Sequence, residues 1–197
     1  MNLENSKIIP LLQSIENAKR ENRDFVANIV FKNQGLHEDL VKTVFFIDNK
    51  ISVRAAWVLE WICTHYGLNF IIPSLDYFTE HIKKLQYDSS IRPCAKICEH
   101  ISIAYSSKEE NLIKKTLTET HKKRIIEAGF DWLITSQKIA VRAYTMTTLY
   151  LLGKEKEWVH PELEHLIQTK IIHESKGCKA RGKKVLELIQ KHQKSGK

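Results

Sequence analysis

The sequence predicts an all-α protein built as a solenoid of helical pairs, and three observations carry that prediction. A similar segment recurs four times: SVRAAWVLEWIC (Ser52 to Cys63), SIRPCAKICEHI (Ser90 to Ile101), AVRAYTMTTLYLL (Ala140 to Leu152) and CKARGKKVLELI (Cys178 to Ile189). With Arg54, Arg92, Arg142 and either Lys179 or Arg181 as anchors, the steps are roughly 38, 50 and 37 to 39 residues, at or just beyond the period of stacked helical pairs. The composition is a helix-forming mixture with only 7 glycines and 4 prolines in 197 residues, too few for a turn-rich β protein. No stretch alternates apolar and polar residues with period two over a convincing length, so no sheet is expected.

The elements follow in order. Ser6 to Lys19 sets Ile8, Ile9, Leu11, Leu12 and Ile15 on one broad face, with Pro10 tolerated near a helix start; this is a leading or capping helix. Asp24 to Phe31 forms a second short helix that stops near Asn33, Gln34 and Gly35, closing a cap over residues 1–35. Leu36 to Asp48 and the helix from Ser52 make the first pair. Pro73 and Ser74 open the next helix, SLDYFTEHIKKL, and Tyr87 to Ser90 turn the chain into the helix that carries Arg92. Lys108 to Thr120 and His121 to Thr135 read as two helices interrupted around His121, which accounts for the long step. His160 to Ser175 leads through the Ser175, Lys176, Gly177 turn into a basic last helix. The array therefore covers 36–193 as four pairs continuous with the cap, and 194–197 is a tail.

Size and charge bound the class. A chain of 197 residues that is 43% apolar buries a substantial core without a second domain. The four cysteines, Cys63, Cys94, Cys98 and Cys178, come without a signal-peptide pattern at the N-terminus, so reduced thiols and a cytoplasmic location are expected. No apolar run approaches the roughly 18 residues that span a bilayer, so no membrane partner is expected. Of the net charge of +8, the segment from Lys176 to Lys197 carries +7: eight basic residues against Glu187. A patch of Lys176, Lys179, Arg181, Lys183 and Lys184 is thus a candidate contact for nucleic acid, or else a solvated helix face.

The segment DLVKTVFFIDNKISVRAAWVLEWI resembles a HEAT repeat: an amphipathic helix, a short turn, then Val-Arg, small residues and a longer helix. The other three segments match the second-helix portion with decreasing fidelity. The resemblance implies a right-handed α-α superhelix whose second helices line a concave side. Such folds serve as binding or scaffold modules, so a non-enzymatic role with a protein partner is expected, with no cofactor and with a homodimer possible through an uncovered end. The arginines at the start of each second helix either satisfy carbonyls of the preceding helix or pair with a neighbouring acid, or else form a row of cations facing a ligand. Trp57 and Trp61, at i and i+4, together with Arg92 and Arg142, are the candidate binding residues of that face.

Catalytic and metal chemistry is thinly represented. Some HEAT-like proteins are DNA alkylation-repair glycosylases; by residue type alone, Asp131, Trp132 and Arg142, with Trp57 and Trp61 earlier in the chain, are the nearest set here. Ser89 to Lys96, SSIRPCAK, loosely echoes a serine and lysine loop of the adenylosuccinate lyase and fumarase superfamily, without its flanking glycine. Cys94 and Cys98 lie one turn apart, but a structural zinc site needs four ligands, so buried thiols and no metal are expected. No HExxH pattern, phosphate loop or Ser-His-Asp spacing is present.

Overall fold

The computed structural model describes residues 6–195; the first five residues of the expected cap, and Gly196 and Lys197 of the expected tail, lie outside the described residues. Regular structure among the described residues is entirely helical, with eleven α-helices, several short 3-10 turns and no strand. By its internal packing the chain forms two compact units, Met1–Ile97 and Cys98–Lys197, with the division inside the sixth helix.

The first unit holds α1 (Ile8–Gln13), α2 (Arg20–Lys32), α3 (His37–Val44), α4 (Ile51–His65), α5 (Leu75–His81) and the start of α6 (Asp88–Ser106). Its centre is α4, against which α1, α2 and α3 all pack. That helix buries Ala55, Ala56, Val58, Leu59 and Ile62, so it is apolar around most of its circumference, as a helix with neighbours on several sides must be. The leading helix is shorter than its apolar face suggests. Asn17 Oδ1 accepts the Lys19 N–H at 3.0 Å, a local turn that competes with helix and lets α2 begin at Arg20, ahead of Asp24. At the other end of α4 the N–H groups of Tyr66 and Gly67 both reach the Ile62 carbonyl, at 2.9 and 3.0 Å. Gly67 then takes a φ of 153°, which side chains disfavour, and turns the chain away.

The second unit holds the rest of α6, then α7 (Leu112–Thr116), α8 (Glu119–Ile134), α9 (Ile139–Leu152), α10 (Val159–Thr169) and α11 (Lys176–Ser195). Here α9 is central, packed by α8, α10 and α11 through Val141, Met146, Leu149 and Leu152. The interruption expected at His121 falls at Leu117 and Thr118, three residues earlier. Thr118 Oγ1 accepts the His121 N–H at 3.3 Å and His121 Nδ1 accepts the Thr118 N–H at 3.2 Å, so the histidine closes a capping box where glutamate is usual. Asn111 caps α7 by accepting the Lys114 N–H at 3.0 Å, leaving 108–110 outside the helix.

The two central helices are followed by the same order of elements. After α4 come a 3-10 stretch (Leu68–Ser74), α5, a 3-10 turn (Ile82–Lys84) and the long α6; after α9 come a 3-10 turn (Gly153–Glu155), α10, a 3-10 turn (Ile171–His173) and the long α11. No described helix is long and apolar enough to cross a membrane.

Candidate functional site

A cleft of about 1050 Å³ lies at the starts of α4 and α6 in the first unit. Ile9 and Gln13 of α1 form one side, Phe46, Asn49, Lys50, Arg54 and Trp57 another, and Gln86, Tyr87 and Asp88 the third. The local sequence explains why these side chains are presented. Asn49 Oδ1 accepts the Ile51 N–H at 2.9 Å and starts α4, which places Lys50 at its cap and Arg54 and Trp57 one turn apart on the helix face beside the opening. Trp57 and Tyr87 are half-buried, and Phe46 is exposed. The lining thus combines three aromatic rings, three carboxamides (Gln13, Asn49, Gln86) and two cations against one acid. Such a surface stacks flat groups and bonds peptide amides.

The sequence-predicted residues do not all meet there. Trp57 lines the cleft; Trp61, one turn further on, faces a different set. Its indole N–H donates to Asp24 Oδ1 at 2.8 Å, its ring stacks on His65 with centroids 3.9 Å apart, and the Arg23 guanidinium lies 4.7 Å from its centroid. Arg92 is drawn to the buried Glu60 (3.8 Å), which also holds Arg23 (3.5 Å). Burial lowers the Arg23 pKa, against the pull of Glu60.

Arg142 lies inside the second unit, 4% exposed. Its Nε donates to the Gln137 carbonyl at 3.2 Å, Nη1 to Leu133 at 3.2 Å and Nη2 to Thr135 at 2.8 Å, and Nη1 also meets Glu174 at 2.9 Å. Leu133 and Thr135 carry carbonyls that the end of α8 leaves open and Gln137 lies in the link to α9, so the donors of Arg142 are spent within the fold rather than on a ligand. Trp132 is likewise in the core, so within the second unit Asp131, Trp132 and Arg142 offer no exposed ring to stack a base, while Trp57 and Trp61 of the first unit are half-buried.

A second polar cluster surrounds Lys122, whose side chain is almost wholly buried. It donates to the Tyr105 hydroxyl at 2.7 Å and pairs with Glu119 and Glu155, while Lys156 reaches Glu119 at 2.7 Å. Burial pulls the Lys122 ammonium down, but Glu119, Glu155 and Tyr105 outweigh it and raise its pKa, so this lysine stays charged. The same bonds from Lys122 and Lys156 hold Glu119 down to about 2. The cluster is saturated and serves as a fastener between α6, α8 and the turn after α9.

On α11, Lys176, Lys179, Lys183 and Lys184 are exposed. Arg181 instead turns inward to Thr147 Oγ1 (2.7 Å) and Glu99 (3.6 Å). Cys63, Cys94, Cys98 and Cys178 are free and buried; burial pushes the Cys98 thiol up to about 12 and raises Cys63 as well. No group of metal-ligating side chains converges among the described residues. Ser89 to Lys96 forms the opening turns of α6, with Ser90, Cys94 and Ala95 buried, rather than a loop over a site.

Lys50, Tyr87, Phe46 and Gln86 escaped sequence reasoning because they lie in the turns before α4 and α6, where neither periodicity nor a motif marks them. The chain matches no family model, no curated protein and no solved structure.

Proposed function

We propose that this chain is a non-enzymatic HEAT-like helical-repeat protein, a binding or scaffold module that holds an extended segment of a partner protein in the cleft beside Trp57. The observation that carries the proposal is the lining itself: half-buried and exposed aromatic rings beside carboxamides and two cations, a mixture suited to side chains and peptide amides together. The repeated element order after α4 and α9 supports the superhelical solenoid, since repeat proteins reuse one supersecondary unit.

Incorporating a photo-crosslinking side chain at exposed Gln86, with exposed Glu162 of α10 as the control position, tests this in cells of the source organism. The proposal expects a discrete protein adduct at position 86 that disappears in a Trp57→Ala background and is absent at position 162. Nucleic-acid adducts, or identical adducts at both positions, would overturn it.

A nucleic-acid role is favoured by one observation, the exposed row of Lys176, Lys179 and Lys183 along α11. Gel shifts of short DNA and RNA at about 50 mM salt, where phosphate contacts are strongest, distinguish it. A salt-dependent shift abolished by changing those three lysines to glutamine would favour that role.

A further inference from the structure

Arg54 and Arg142 occupy matching places in the two layouts. Each follows a valine in the first turns of a central helix, and each is followed 32 residues later by a residue in the link between a three-residue 3-10 turn and the next long helix. In the second unit that residue is Glu174, whose carboxylate sits 2.9 Å from Arg142 Nη1. In the first unit it is Gln86, which is neutral and lines the cleft.

The consequence is a difference in how the two guanidinium groups are satisfied. Arg142 donates to three carbonyls and a carboxylate. Arg54 makes one hydrogen bond, from Nη1 to the Gln13 carbonyl at 3.3 Å, and neither it nor exposed Lys50, four residues before it, forms an ion pair among the described residues. A guanidinium with free donors in a half-enclosed cleft favours a planar acceptor with two oxygens.

We propose that the cleft recognises a carboxylate: its occupant is an acidic extended peptide segment, with an Asp or Glu side chain seated on Arg54 as Glu174 is seated on Arg142. Lys50 receives a second acid or the rim of the first, and Trp57 and Tyr87 flank the neighbouring side chains. This rests on the reading of the cleft as a peptide site and adds the chemistry of its ligand. Two observations favour a carboxylate over a nucleic-acid phosphate. The chain itself places a carboxylate on the matching arginine, and the cleft offers two cations and one acid, Asp88, among carboxamides rather than the long run of cations that a phosphate backbone engages.

The test uses the full chain and a display library of random dodecapeptides, selected on the native sequence and screened against three variants. Trp57→Ala removes a wall; Arg54→Gln removes the charge; Gln86→Glu places an internal carboxylate in register with Glu174 and leaves every existing bond of Arg54 intact. Thermal melts check that each variant folds. The expected result is a set of Trp57-dependent peptides with a fixed Asp or Glu. Their affinity should fall about tenfold, roughly 1.4 kcal/mol, in both Arg54→Gln and Gln86→Glu, and more at low salt than at high. Trp57-dependent peptides without acids, or acidic peptides indifferent to Gln86→Glu, would overturn the inference and leave the peptide cleft standing. Failure to recover any Trp57-dependent peptide, or displacement of the peptides by single-stranded RNA, would overturn both.

Discussion

Trp61 donates its indole N–H to Asp24 at 2.8 Å, and the Tyr66 hydroxyl reaches the same carboxylate oxygen at 2.6 Å. One acid of α2 therefore fixes two aromatic side chains at the end of α4. The hydrogen bonds from Tyr66 and then Trp61 lower the Asp24 pKa, and the same carboxylate pushes the Tyr66 phenol up to about 12. Asp24→Asn keeps an acceptor and removes the charge. An ultraviolet titration should then show one of the six tyrosines ionising closer to the ordinary value. An unchanged tyrosine titration would show that the Asp24 contact is not formed in solution.

The Arg142 cluster gives the largest expected effect on stability. Arg142→Gln is too short to reach the carbonyls of Leu133, Thr135 and Gln137 together, and it leaves Glu174 without its partner. Glu174 is open to water and can be solvated, so the cost comes from the carbonyls that lose their donors, about 1 to 3 kcal/mol for each that stays buried. Urea denaturation should show the unfolding free energy lowered by that amount, read as a lower midpoint with little change in slope. Arg54→Gln, which loses a single bond at 3.3 Å in an open cleft, should fall within about 1 kcal/mol of the unsubstituted protein.

The contrast between those two arginines explains what was legible beforehand. The recurrence of Val-Arg or Ile-Arg before a long apolar run located α4, α6 and α9 closely, because their apolar residues follow helical spacing on faces buried by neighbours. It did not distinguish Arg142 from Arg54, since the difference lies in what stands 32 residues away and in which carbonyls come within reach. The helix ends were less legible for a related reason: Asn111 and Thr118 start helices, and Asn17 turns the chain between two, through side-chain bonds to nearby N–H groups. Trp57 and Trp61 share spacing but not surroundings, because Asp24 and Arg23 of α2 claim only the second.

Gly153 closes α9 against the start of α10, and the reason for glycine is space rather than backbone angle. A Cβ built there would lie 2.6 Å from Val159 Cγ1 and 2.9 Å from His160 Cδ2, well inside contact distance. Gly153→Ala should cost about 1 to 3 kcal/mol, the range for forcing extra volume into a packed interior, and should lower the thermal midpoint by several degrees. Pairing it with Val159→Ala, which removes the nearest obstructing atom, should recover part of the loss on top of that variant's own cavity cost. Strictly additive effects would mean that the crowding lies elsewhere.

His160 makes the second unit sensitive to mild acid. The residue is 6% exposed, its Nε2 bonds to the Tyr150 carbonyl at 2.9 Å, and its ring stacks on Tyr150 at 5.5 Å and meets His192 of α11 edge-on at 5.4 Å. Burial lowers its pKa, the Tyr150 carbonyl opposes that, and the charges of His192 and Lys154 add to the lowering. The unfolded chain therefore takes up a proton near the ordinary value of 6.5, while the folded chain does so only at lower pH. More protons are bound in the unfolded state across that window, so stability falls as the pH drops below 6.5 and levels off once the folded-state histidine is protonated too. Thermal melts in low-salt buffers from pH 7.5 to pH 5 should show this decline. His160→Gln, whose side-chain amide can still donate to Tyr150, should flatten the profile over the same range. A slope that persists in His160→Gln but vanishes in His192→Gln would assign the effect to α11's histidine instead.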